Sequence, residues 1–263
     1  MKKYLFIFKS EIMSNLQYVF NIVTGFIGYF LLLFVFFNLW TYMYSDPNEI
    51  INGYTMNQMI WYVVITEIIW GTVGGSRLCK DISADVKGGN IAYNLNKPYS
   101  YIGYSLSKHL GSATIKAVIY IVLGITTGYI LLGEFPSLSL LQIIISLLSL
   151  ILAVVISSLF ITFIGLFSFF IEDSSPFYWV YSKFILVLGT LFPIEYFPGV
   201  LSTILKYSPI YVVSYGPAKL FVDFSFDKCV PIIIAQIIYL FIAYELCRII
   251  YKKGVKKLNV NGG

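Results

Sequence analysis

Charge is scarce in this sequence. Asp, Glu, Lys and Arg together make up 12% of 263 residues, and 58% are hydrophobic. Ordinary soluble domains carry about 25% charged residues, and the mean hydropathy here is +0.81. A water-soluble globular domain is therefore excluded. Cysteine is equally sparse: Cys79, Cys229 and Cys247 are too few and too scattered for a disulfide framework, and none forms a CxxC pair. His109 is the sole histidine, so no metal-ligand cluster and no Ser-His-Asp or Cys-His arrangement is expected. The sequence also lacks GxxxxGK[ST], the backbone cradle for nucleotide phosphates. Any ATP-driven work must come from another chain.

Long apolar runs are what is there. Six of them fall at roughly Tyr18–Tyr44, Met59–Gly75, Leu110–Leu132, Leu138–Ile171, Phe177–Leu191 and Val230–Tyr251. About 20 apolar residues suffice to span a bilayer, so an all-α membrane protein with six transmembrane helices is expected. The fourth run would reach ~50 Å as a helix against a hydrocarbon core of ~30 Å. It must tilt, bend (at Gly165, for example) or protrude, and the EDSSP turn at Glu172 ends it.

The N-terminal residues 1–17 could pass for a signal peptide, but Lys9 and Glu11 interrupt the apolar run and no small-residue cleavage site follows. Tyr4, Phe8, Ile12 and Leu16 recur every four residues, the pattern of an interfacial amphipathic helix.

Lys and Arg distribute unevenly around the spans. Lys2, Lys3 and Lys9, the stretch from Arg77 to Lys108, and the tail 252–263 share one side. The opposite side has two connections with no Lys or Arg, and a longer segment with Lys206, Lys219 and Lys228. By the positive-inside rule the basic side is cytoplasmic and both termini lie inside a cell membrane. The net charge of +5 is thus topological rather than a sign of nucleic acid.

Residues 192–226 are mostly apolar but cut by Pro193, Pro198, Pro209 and Pro217. Proline breaks helices, and irregular backbone at membrane depth must be buried in protein or face water. An extracellular re-entrant helical hairpin before the last span is expected, and one kinked extra span is the alternative.

The only long polar stretch between two apolar ones opens the loop 77–109, RLCKDISADVKGGNIAYNLNKPYS. Leu78, Ile82 and Val86 fall on one helical face. Gly88-Gly89 would close that helix in a left-handed cap. Ile91, Tyr93 and Leu95 alternate with polar or small residues, which predicts an extended piece, and Pro98 suits the first turn of the next helix.

Three stretches together resemble the permease subunits of type 2 ABC-type exporters, in the bacterial branch with paired permeases. They are the amphipathic start, DVKGGNIAYNLNKPYS, and FPIEYFPGVLSTILKYSPIYVVSYGP. The resemblance covers almost the whole chain, and its specificity lies in the order and spacing of the motifs. It implies a homo- or heterodimer with a second permease, and a cytoplasmic ABC ATPase subunit that carries ATP and Mg. It implies no cofactor on this chain. It makes the loop 77–109 the carrier of the coupling helix, with Val86, Lys87, Gly88, Asn90, Tyr93, Leu95, Lys97 and Pro98 as ATPase-docking residues. Gly89 departs from the pattern and leaves the position of the coupling helix open. The resemblance also implies export, and Phe192, Pro193, Phe197, Pro198 and Pro209 would form the outer gate.

Charges within the spans are few. Glu67, in the middle of the second, costs about 2.5–3.5 kcal/mol on insertion scales, so it should face the passage or a partner, or be protonated. Lys116 and Lys183 can snorkel, and Glu245 with Arg248 reads as a local pair. Tyr62, Trp70 and Tyr120 are candidates to line a greasy substrate path with Glu67, for a hydrophobic or amphipathic cargo. The rivals are a secondary transporter driven by an ion gradient, which should show internal repeats, and a lipid-modifying membrane enzyme, which would need an acidic or His cluster.

Overall fold

The computed structural model of the chain describes residues 2–46, 49–171 and 173–261, with Leu95 and residues 258–261 described by backbone alone. Glu172 of the expected acidic turn lies outside the described residues. These residues are nearly all helical and form no strand beyond an isolated bridge between Ile51 and Tyr54.

Helix α1 (Lys2–Leu16) leads into α2 (Val19–Met43) and α3 (Met56–Val73). A capping box starts α3: Thr55 Oγ1 accepts from the Gln58 amide, and the Gln58 side chain accepts from the Thr55 amide. Gly74 (φ +73°) and Gly75 (φ +72°) then turn the chain through left-handed conformations. Helices α4 (Arg77–Lys87) and α5 (Asn90–Leu95) follow, and α6 (Tyr101–Leu132) opens on the Ser100 hydroxyl. Ser139 caps α7 (Leu140–Leu166) in the same way.

A turn containing Ser174 enters α8 (Ser175–Ile185), which continues as a π-helical turn over Leu186–Thr190. Next come α9 (Gly199–Lys206), a second π-helical turn at Tyr211–Tyr215, α10 (Gly216–Val222) and the long α11 (Phe226–Asn261).

Five helical stretches are long and apolar enough to cross a membrane: Val19–Met43, Met56–Lys87, Tyr101–Leu132, Leu140–Phe169 and Phe226–Lys257. The fifth expected span is shorter, made of α8 and its π turn. Helix α3 is the hub. Nearly every residue from Met59 to Ile69 is buried, and α2, α6, α7 and α10 surround it. A helix apolar on all sides belongs in the interior. The second half of α7 is similarly enclosed, by α4 and α11. By contrast, Phe20, Ile27 and Leu31 on α2 and Ile238 and Phe241 on α11 are exposed. Stripes of this kind suit lipid as the solvent.

The structure corrects four expectations. The alternating Ile91–Leu95 piece is helix α5, not an extended strand. Pro98 lies in the turn before α6, whose first residue is Tyr101, because Ser100 takes the cap position. The helix that carries the third span begins at Tyr101, about two and a half turns before the expected start near 110. The half-buried stripe of Tyr4, Phe8 and Ile12 packs against α6 instead of facing lipid, leaving Leu5, Phe6, Met13 and Leu16 exposed. The Glu245–Arg248 pair forms at 3.0 Å.

Candidate functional site

At the basic end, α4 is fixed to the bundle. Leu78, Ile82 and Val86 are buried, as their spacing predicts. A Cβ at Gly165 of α7 would lie 3.0 Å from Ile82 Cβ and 3.3 Å from the Cys79 carbonyl, so glycine is what allows this approach. Gly165 serves this contact near the end of α7. Ser83, Ser168 and Ser174 form a buried hydroxyl cluster. Ser83 Oγ lies 2.6 Å from Ser174 Oγ, Ser168 Oγ donates to Ser174 Oγ at 3.1 Å, and Ser83 also meets Ser168. Cys79 Sγ joins Ser174 Oγ at 3.3 Å. Small hydroxyls paired in a dry setting hold two elements at a fixed separation. Helix α4 and the α7–α8 turn are therefore joined by a shared buried hydroxyl network.

Helix α5 projects from that base. Gly88 has an ordinary φ of −78° and Gly89 takes the left-handed φ of +72° that reverses the chain. Ile91 is buried, whereas Tyr93 is 66% exposed. Lys97 Nζ donates to Tyr93 Oη at 2.6 Å and lies 4.2 Å from the ring centroid. The Tyr93 hydroxyl holds the Lys97 ammonium above the ordinary lysine range. Tyr99 Oη donates to Asn94 Oδ1 at 2.9 Å, and Tyr99 stacks on Tyr104. Helix α1 braces the loop, since the Ser100 amide donates to Tyr4 Oη at 2.8 Å and Lys3 Nζ reaches the Pro98 carbonyl. Of the expected docking set, Lys87, Gly88, Asn90, Tyr93 and Pro98 are exposed and Lys97 is half-buried, while Val86 sits in the anchor. Leu95 contributes its backbone to α5.

In the interior, Glu67 is 3% exposed and its Oε1 has no hydrogen-bond partner among the described residues. Tyr62 is enclosed and donates to the Gly189 carbonyl at 2.6 Å. Trp70 is half-buried on the same helix, and Tyr120 packs edge-on against Phe26 and Tyr29. The structure therefore does not gather Tyr62, Trp70, Tyr120 and Glu67 around one cavity of this chain.

Two π turns abut near the other end. A Cβ at Gly189 would lie 2.6 Å from Ile210 Cγ2 and 3.0 Å from Ser214 Cβ. A π turn disrupts the regular hydrogen-bond ladder, and neighbouring side chains bond its carbonyls. Tyr62 takes Gly189, Thr66 Oγ1 takes Thr190 at 3.2 Å, and Gln236 Nε2 of α11 takes Val212 at 3.0 Å. Gln236 also pairs with Ser149 of α7, through its carbonyl and its hydroxyl.

Above them lies a buried ionic knot. Lys219 is 5% exposed. Its Nζ is 3.2 Å from Glu195 Oε1 and 3.0 Å from Asp223 Oδ2, and it donates to Tyr54 Oη at 2.8 Å. Tyr54 Oη in turn donates to Glu195 Oε2 at 3.1 Å, and Tyr215 Oη to Glu195 Oε1 at 2.7 Å. Lys228 Nζ sits 2.5 Å from Asp223 Oδ2. Burial alone would raise the Asp223 carboxyl, but hydrogen bonds from Lys228 and Lys219 outweigh it and hold the group below its ordinary value. Burial pushes the Tyr54 phenol up, so it stays a donor. Tyr54 is delivered by a tight turn with Asn52 at φ +51° and Gly53 at φ +84°. Of the expected outer-gate residues, Pro193 is buried, Phe192 packs edge-on against Trp40 and Phe197, and Pro198 precedes α9. Pro209 lies at the start of the helical stretch that contains the second π turn.

With an all-helical membrane bundle, an exposed short helix braced at the basic end and no nucleotide cradle, the comparison with known families is decisive. The profile described as "ABC-2 family transporter protein" matches residues 22–262. The chain belongs to the ABC-2 transporter family. Among curated proteins, no match was found. As an ABC-2 family member the chain is a multi-pass membrane subunit of an ABC transporter, a transport component that works with an ABC ATPase. Sequence reasoning missed Glu195, Lys219, Asp223 and Tyr54 as one site of this ABC-2 subunit, along with Gln236 and the serine cluster. A lysine among the prolines of an otherwise apolar segment was the available signal.

Proposed function

We propose that this subunit pairs with a second permease, identical or homologous, and that the passage forms between them. The basic end faces the cytoplasm, both termini lie inside, and six spans cross the membrane. Helix α5 with its flanking residues docks into the ATPase, where ATP and Mg are bound. A hydrophobic or amphipathic substrate is exported. The observation that carries this reading is the pairing of an exposed α5 with an α4 locked to α7 and to the α7–α8 turn. Force applied to α5 passes through α4 into two helices at once, as a rigid-body shift. At the far end, the segment from Phe192 to Val222 acts as the outer gate, with the two π turns as its hinge and the Lys219 knot as its latch.

Co-purification with the ATPase tests the docking. Tyr93→Ala with Lys97→Ala should weaken retention of the ATPase at least tenfold and leave the thermal midpoint of the permease unchanged, because Tyr93 is exposed and the Lys97 ammonium is held by Tyr93. Undiminished retention would remove α5 from the interface. Transport by the isolated permease that follows a proton gradient would instead favour the secondary-transporter reading.

A further inference from the structure

A cavity of about 550 Å³ opens at the basic end between α1, α4, α5 and α6. Its depth follows from helix length. Helix α6 has 32 residues, or ~48 Å, against a hydrocarbon core of ~30 Å. The excess of ~18 Å leaves about 12 residues at its start, near 101–112, outside the hydrocarbon. Lys108 and His109 fall in that stretch, and Tyr99, Tyr101 and Tyr104 line the same cavity. Tyrosine is typical of the headgroup layer. Lys116, one turn deeper, brings its ammonium back to Gly74, at the C-terminal end of α3.

The charges in the cavity do not cancel. Asp85 accepts from Tyr101 Oη at 2.8 Å, Glu11 accepts from Asn15 Nδ2 at 3.0 Å, and Lys97 is engaged by Tyr93. Arg77, Lys108 and Lys116 also line it, and none of them makes an ion pair among the described residues. Asp81 lines it as well, so the acids are Glu11, Asp81 and Asp85. The Nε2 of His109 is buried without a hydrogen-bond partner. Four cations face three acids, a formal excess of one positive charge, and with Arg77, Lys108 and Lys116 outside any ion pair and His109 Nε2 a donor in its Nε2-protonated tautomer, the lining matches the oxygens of a phosphate. A basic pocket between helices at the membrane surface is a recurring form of lipid headgroup site.

We infer that this cavity binds the phosphate of an anionic phospholipid from the leaflet at the basic end, through Arg77, Lys108, His109 and Lys116. The bound headgroup fills the space between α1 and α5, so it would set how firmly the docking helix is held. The site needs only the permease, so it can be tested without the ATPase.

The test is native mass spectrometry of the full chain in detergent with phosphatidylglycerol, phosphatidylcholine or inorganic phosphate added. One phosphatidylglycerol should bind at least tenfold more tightly than phosphatidylcholine, and millimolar phosphate should not displace it. Lys108→Gln with Lys116→Gln should weaken that binding tenfold or more. The Lys108→Arg and Lys116→Arg pair should retain it, which separates lost charge from lost folding. Lys252→Gln, at an exposed position of α11, should bind as wild type does. Equal binding of the two lipids, displacement by free phosphate, or unchanged binding by the glutamine pair would each overturn the proposal.

Discussion

Removing the carboxylates around Lys219 is the sharpest test of the outer latch. The Lys219 side chain is 7% exposed, whereas those of Glu195 and Asp223 are 32% and 29% exposed. The asymmetry decides the magnitudes. Glu195→Gln leaves the ammonium paired with Asp223 and Tyr54, and Asp223→Asn leaves it with Glu195 and Tyr54. Each single change should cost about 1 kcal/mol, because the lost partner was partly solvated. The double change leaves a buried ammonium with neutral acceptors only, and breaking a buried pair costs about 3–5 kcal/mol. The double variant should therefore fall below the sum of the singles by roughly 1–3 kcal/mol. With about 2–4 °C per kcal/mol for domains of roughly 150–250 residues, thermal unfolding in detergent resolves that gap. Lys219→Met should be milder than the double variant, since Asp223 keeps Lys228 and Glu195 keeps two tyrosine donors. Additive single and double variants, or a Lys219→Met variant less stable than the double, would refute the latch energetics.

Three further outcomes are expected. Gly165→Val drives a branched side chain into Ile82 and should destabilise by about 1–3 kcal/mol; thermal unfolding measures this, and transport should fall while the ATPase still co-purifies. Gln236→Leu leaves the Val212 carbonyl and the Ser149 hydroxyl without their donor or acceptor and should cost about 1–3 kcal/mol, read by unfolding and by faster hydrogen exchange at the second π turn. Because Asp223 is held below its ordinary carboxyl value, its contribution is present above the unfolded pKa and is lost as pH falls through the folded one. Stability should therefore stay level from about pH 8 to 5 and drop below about pH 4, with Asp223→Asn flattening that acid limb.

What could be read in advance followed from periodicity and composition. The face of Leu78, Ile82 and Val86, the apolar spans and the proline-cut segment all state their structure locally. Helix α5 did not. Ile91, Tyr93 and Leu95 alternate like a strand, yet Asn94 Nδ2 bonding to the Asn90 carbonyl at 2.9 Å and Tyr99 bonding to Asn94 stabilise a single short turn of helix. Tertiary contacts override pattern most easily in so short a piece. The stripe on α1 was visible, but nothing in 17 residues tells whether lipid or α6 will cover it. The latch was hidden for another reason: Tyr54, Glu195 and Lys219 come from segments distant along the chain, and only the fold brings them within hydrogen-bond reach.

Helix α11 starts beside Lys228, which holds Asp223, and runs 36 residues to Asn261, a rod of ~54 Å. Near its far end Gly254 lies flush against the Phe169 ring, next to the turn that carries the serine cluster. The rod touches the bundle near both extremities. Tipping it by roughly 10° about its middle would carry each tip some ~5 Å, in opposite directions. One continuous helix thus joins the latch at one end of the bundle to the serine-cluster turn at the other.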